Sequence, residues 1–170
     1  MCLALFMKFG LTPEFGVFVV FCAAMLTIFW IDLDHMIIPD IISLSGIVLG
    51  IAATASSYLP GMNWKLSLLG LSLGVVALYV PAVVYEKLRG IEGLGGGDVK
   101  LLAMIGAFTG PYGVVFVLFS ASLAGSIGAV ISMSFKRIES TTPIPFGPFL
   151  TAAAVCYVFI GREIVNYFFG

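Results

Sequence analysis

Phe15-Gly16-Val17-Phe18-Val19-Val20-Phe21-Cys22-Ala23-Ala24-Met25-Leu26-Thr27-Ile28-Phe29-Trp30-Ile31-Asp32-Leu33-Asp34-His35 decides what kind of protein this is. From Phe15 to Ile31 only Thr27 interrupts the apolar run, and the run then meets two carboxylates and the single histidine of the chain. Crossing hydrocarbon as a helix takes about 20 apolar residues, because every backbone N–H and C=O has to be satisfied within the segment. The same reading applies to Ile41–Leu59, Trp64–Tyr85 and Gly113–Phe135. A fifth stretch, Phe146–Phe168, is interrupted by Pro148 near its start and Arg162 near its end. Leu101–Phe108 is apolar but short, and it runs into the punctuating residues Thr109, Gly110, Pro111 and Gly113; this predicts a short helix that returns through a tight turn into the next span.

Composition agrees. Of the 170 residues, 61% are hydrophobic and 10% charged, and the mean hydropathy is +1.15. A water-facing domain usually carries about a quarter charged residues, so lipid is the solvent this surface suits. The expected fold is therefore all-α, a polytopic transmembrane bundle of about six membrane helices with a short glycine-led helix after the loop Gly93-Leu94-Gly95-Gly96-Gly97. No internal repeat stands out, and residues 1–170 read as one membrane-embedded domain. Residues 1–9 read as the tail of a helix that begins upstream, or as a short surface segment before Gly10; they lack the basic start and small-residue cleavage site of a signal peptide.

The net charge of −1 names no partner, and no clustered Lys/Arg stripe points to nucleic acid. Cys2, Cys22 and Cys156 are scattered, with no CxxC, and with only His35 beside them no metal site and no cofactor are expected. Orientation is read from the basic residues between spans. If Phe15–Ile31 runs toward the cytoplasm, Lys87, Arg89, Lys100, Lys136 and Arg137 fall inside and Lys8, Lys65 and Arg162 outside. That arrangement puts Asp32 and Asp98 on one membrane face, the cytoplasmic one.

Five of the nine acids lie in two places: Asp32, Asp34 and Asp40, then Glu92 and Asp98. Asp32 closes an apolar span, where an ionisable group is costly and points to function; on position alone, a span that simply ends in headgroup water is the stronger reading. Pro39 breaks the chain, and Asp40 suits the N-cap of the next helix. Asp98 comes after three glycines, which permit backbone paths closed to other residues and let another chain approach closely. An N-cap role for Asp98 is the plain alternative. Two close carboxylates do not both ionise readily, so one holds a proton while the other stays charged. Such a dyad hydrolyses an amide: the charged member takes a proton from attacking water, and the neutral member hydrogen-bonds the carbonyl oxygen and then gives its proton to the leaving amine. A third cluster, Thr142-Pro143-Ile144-Pro145-Phe146-Gly147-Pro148-Phe149, cannot be regular helix throughout. It reads either as a plain loop with a proline-started helix or as an extended segment beside a substrate cleft, with Pro145, Phe146, Gly147 and Pro148 at its edge.

Taken together, Ile31-Asp32-Leu33-Asp34-His35-x-x-Ile38-Pro39-Asp40, Glu92-Gly93-x-Gly95-x-Gly97-Asp98-x-Lys100 and Pro143-Ile144-Pro145-Phe146-Gly147-Pro148 resemble the motifs of the bacterial type IV prepilin peptidases. These are GxGD aspartic proteases of the inner membrane, similar in design to archaeal preflagellin peptidases and more distantly to presenilin and signal peptide peptidase. GxGD alone is weak; three motifs in order, each joined to the expected spans, are specific, and the resemblance runs from about Phe15 to the end. It implies Asp32 and Asp98 as the catalytic pair, with Gly95, Gly97, Lys100, Asp34, Pro39 and Asp40 as supporting motif positions. It implies cleavage of type IV prepilins or type II secretion pseudopilins at the cytoplasmic face. Most bacterial members also carry an upstream region with paired CxxC motifs linked to N-methylation. These 170 residues hold none, so proteolysis is expected and methyl transfer by this chain alone is not. Membrane acids, broken helices and many glycines also fit a small transporter or proton-coupled channel, which would bring repeats, or a non-catalytic scaffold. Gly70 and Gly74, like Gly106 and Gly110, permit close helix packing within the fold or across a homo-oligomer alike.

Overall fold

The protein is described here by a computed structural model, which covers residues 1–89, 95–134 and 145–169. Among the described residues the elements are six helices: α1 (Cys2–Phe9), α2 (Pro13–His35), α3 (Asp40–Ala55), α4 (Trp64–Arg89), α5 (Gly96–Ser134) and α6 (Gly147–Phe169). Three are long and apolar enough to cross a membrane, over Pro13–His35, Trp64–Leu88 and Gly96–Ile131; Asp40–Ala55 and Gly147–Gly161 are shorter apolar helices. The chain is a membrane protein. Where four full spans and an interrupted fifth were expected, Ile41–Leu59 is shorter than spanning length. It stops at Ala55 because Ser56 caps it and Ser57 turns into the left-handed region at φ 58°. Pro148, expected to interrupt the last span, instead sits in the first turn of α6, where its missing N–H costs nothing.

Local sequence sets the helix ends. Thr12 caps α2 by accepting the Phe15 N–H at 3.3 Å, with Pro13 as the first helical residue. Met36, in the left-handed conformation, closes α2 by donating its N–H to the Asp32 carbonyl at 2.9 Å. Asn63 Oδ1 caps α4 by accepting the Leu66 N–H at 2.9 Å.

The hub is the first limb of α5. Every residue from Leu101 to Gly110 is buried. Gly110 has φ 70° and ψ −174°, open to glycine and closed to most side chains, and it breaks the helix in two. The chain doubles back there: Val114 Cγ2 lies 2.8 Å from where a Cβ on Gly106 would sit, whereas eight residues of straight helix would separate them by about 12 Å. The limb from Gly96 to Gly110 is thus the expected short glycine-led helix, starting at Gly96 rather than Leu101. At about 1.5 Å per residue it is too short to cross hydrocarbon, and it is tolerated there because protein covers it from Leu101 to Gly110.

Its neighbours fit through missing side chains. Gly46 of α3 receives Met104, Gly50 receives Phe108, Gly74 of α4 lies on the Leu102 carbonyl, and Gly70 meets the backbones of Gly106 and Gly110. The small-residue pairs therefore serve the packing of this chain on itself. Phe21 of α2 closes on Phe108 at 4.7 Å between ring centroids. Pro111 has no N–H, so the Ala107 carbonyl loses its usual partner four residues on. The buried Ser67 hydroxyl of α4 replaces it, donating to that carbonyl at 2.7 Å. The second limb of α5 then packs along α6, with Phe149 against Gly128 at one end and Phe116 on Tyr157 at the other.

Candidate active site

Three chain segments meet at one end of the bundle: the last turns of α2, the first turn of α5 and the first turn of α6. The first brings Asp32, the second Asp98, the third Gly147. Asp32 is 5% exposed, a nearly covered carboxyl in a helix that otherwise carries apolar side chains at this depth. Asp98 is half-buried, and the two carboxyls lie within electrostatic reach of one another.

Asp98 is the third residue of α5, not its N-cap: the helix begins at Gly96, and the Asp98 N–H returns to the Gly95 carbonyl at 3.1 Å. Its side chain is thus free of the usual capping geometry. The positive end of the helix dipole still stands behind it. Gly95 and Gly96 are exposed, while a Cβ on Gly97 would come within 3.0 Å of Ile38, so Gly97 is the glycine that close approach demands.

Asp32 is held from the other side. The Gly147 backbone N–H, one of the donors that a helix start leaves without an intrahelical partner, is given to the Asp32 carboxylate. A Cβ at residue 147 would collide with Asp32 Oδ2 and lie 3.0 Å from its Cγ. Sequence reasoning placed Gly147 at a cleft edge and missed this contact. The signal available was a glycine next to a helix-starting proline, which marks a bare helix N-terminus.

The remaining candidates divide. Asp34 and His35 are exposed, outside the covered ground of the pair. Asp40 is the first residue of α3, with Pro39 as its cap and no side-chain capping bond. The expected N-cap role gives way because the carboxylate is engaged elsewhere: both oxygens accept from Lys100 Nζ at 2.7 Å. That ion pair ties the first motif to the second. Pro145 and Phe146 line a hollow of about 350 Å³ with Phe149, opposite Ser122, Gly125, Ser126 and Ala129. Glu92, Pro143 and Ile144 lie outside the described residues, as do Lys136 and Arg137. Among the described residues, no three His, Cys, Asp or Glu side chains gather where they would hold a metal ion. A larger cavity, about 470 Å³, opens at the opposite end of the bundle between Phe18, Phe108, Thr109 and Tyr157, far from both acids.

The type IV leader peptidase family matches residues 19–131, more than half of the chain and a stretch that contains both Asp32 and Asp98. The chain belongs to that family. Prepilin leader peptidase/N-methyltransferase of Xanthomonas campestris pv. campestris is 34% identical over 168 residues, covering 98% of this chain and 57% of that protein. The protein of the same description from Pseudomonas aeruginosa is 33% identical over 158 residues, covering 93% of this chain and 54% of its own length. The one from Dichelobacter nodosus is 32% identical over 154 residues, with 90% and 51% covered. The chain thus spans about half the length of the leader peptidase relatives it matches. No solved structure matches it.

Proposed function

We propose that this chain is one membrane-embedded aspartic endopeptidase that removes the leader of type IV prepilins or type II secretion pseudopilins, using Asp32 and Asp98. The observation that carries the reading is a covered carboxyl and a half-covered one within reach of each other at one end of an apolar bundle. Family membership supports the substrate class.

The chemistry rests on the pair. Two neighbouring carboxyls share one proton, because the second charge is disfavoured by the first. The ionised member accepts a proton from water as that water attacks the scissile carbonyl. The protonated member hydrogen-bonds the carbonyl oxygen and passes its proton to the departing amine. A site between short helix ends, rather than mid-helix, gives an extended peptide room to reach the carboxyls. The hollow beside Pro145 and Phe146 is where the segment next to the scissile bond would lie.

The active end faces the cytoplasm of the bacterial inner membrane in this reading. Lys87 and Lys100 sit at that end of the bundle, Lys8 and Lys65 at the other, and the positive-inside rule favours this orientation. Peptidase activity alone is assigned to the chain; the relatives' second named activity, N-methyl transfer, is not carried over.

The test is to incubate the purified chain with a type IV prepilin and weigh the product. The expected result is a protein shortened by its leader. An intact prepilin, with solute flux when the chain is placed in liposomes, would replace the peptidase by a transporter that uses the same acids.

A further inference from the structure

The turn between α2 and α3 touches the backbone on both sides of the acid pair. Ile38, 8% exposed, lies against Gly97, with its Cβ 3.0 Å from where a Cβ on that glycine would sit. It lies equally against Gly147, its Cδ1 3.3 Å from the corresponding position. Gly97 precedes Asp98, and Gly147 is the residue that holds Asp32. Two residues on, Asp40 grips Lys100 through both carboxylate oxygens, and Lys100 lies in the same first turns of α5 as Asp98.

We propose that Ile38 and the Asp40–Lys100 pair form a positioning clamp that sets how closely Asp98 approaches Asp32. None of the three touches the reacting atoms, and the inference rests on the dyad reading above. Physical reasons favour a clamp here. The segment leading into Asp98 is glycine, with little side-chain packing of its own to fix it. Ile is stiff at χ1, and Pro39, at φ −64°, fixes the backbone beside it, so Ile38 acts as a spacer of constant width. The ion pair is half exposed, too weak to matter much for global stability. It can still decide where one helix start rests. Acid–base chemistry is sensitive to such placement, and a misplacement of about 1 Å is enough to cost up to about a hundredfold in rate.

The experiment is steady-state cleavage of a type IV prepilin by the full chain, with kcat and KM measured separately. Asp40→Asn and Lys100→Gln are each expected to lower kcat about five-fold while KM stays within about two-fold. The charge-reversed double variant Asp40→Lys/Lys100→Asp is expected to recover most of the loss. Ile38→Val is expected to be mild, and Ile38→Ala to lower kcat at least about tenfold. A rise in KM at unchanged kcat would assign Lys100 to substrate binding and overturn the clamp. So would a reversed pair no better than the single variants, or single variants with wild-type kcat. If Asp32→Asn or Asp98→Asn still cleaves, the dyad itself is wrong and the clamp goes with it; if both are dead and the pair variants are unaffected, only the clamp fails.

Discussion

Asp32→Asn and Asp98→Asn are each expected to abolish leader cleavage, by at least about a thousandfold in kcat, while the protein still folds and inserts. The size reflects the roles. General acid and general base steps each contribute about 100- to 10,000-fold, and a shared proton makes each carboxyl necessary to both steps. Asn keeps the shape and a hydrogen-bonding oxygen, so the Gly147 N–H still finds an acceptor in Asp32→Asn. It removes a titratable group from a site where charge is expensive, so stability should hold or rise. The double variant should be no worse than either single one, because members of one catalytic unit are not additive. Initial rates with retention on size exclusion as the folding control check this. A variant that is monodisperse and retains a tenth of the wild-type rate would remove its residue from the dyad.

Gly70→Leu is expected to prevent formation of the bundle. The side chain at 70 would enter the backbone of the hub: a Cβ there overlaps the Gly106 carbonyl oxygen and sits 2.7 Å from Gly110 Cα. Neither can move aside, because Gly106 is clasped between α4 and Val114, and Gly110 is fixed in a conformation that makes the reverse turn. Gly70→Ala already meets the same atoms and is expected to cost about 1–3 kcal/mol, with Leu costing more. Gly16→Ala is the control, since a Cβ there meets nothing within 4 Å. Thermal unfolding in one detergent, compared across the three variants, measures the difference. Equal midpoints for Gly70→Ala and Gly16→Ala would mean that α4 and the hub are not in backbone contact.

What sequence made legible, and what it did not, divides along physical lines. The helices were legible because lipid leaves no choice: a long apolar run has to satisfy its own backbone, and the Phe15–Ile31 run duly lies inside α2. The short returning helix was legible because Gly110 and Pro111 stand together. Asp32 and Asp98 stood out because acids are scarce in this chain, one ending a span and one framed by glycine. Helix boundaries were off by a few residues, as they usually are, and that slip was enough to misplace Asp40 as an N-cap and to leave that role open as the alternative for Asp98.

Pairing was the part hidden from sequence. Pro111 announces that the Ala107 carbonyl loses a donor, but that the buried Ser67, 40 residues upstream, supplies it depends on how α4 packs. The glycine pairs showed where backbones approach, not whether the partner was another helix of this chain or another copy. Gly147 reads as a loop residue until its N–H is seen against Asp32, because a backbone donor has no letter of its own. Lys100 and Asp40, 60 residues apart, carry complementary charge that becomes an interaction only when α3 and the hub start side by side.

The most direct measurement replaces Asp32 and Asp98 by cysteine in a chain whose own three cysteines are serine, and treats membranes with a short bifunctional thiol reagent. One intramolecular bridge, detected by mass after cleavage between the two positions, is the predicted result. Two thiols that never bridge, and that react with an impermeant reagent from opposite sides of the bilayer, would contradict it.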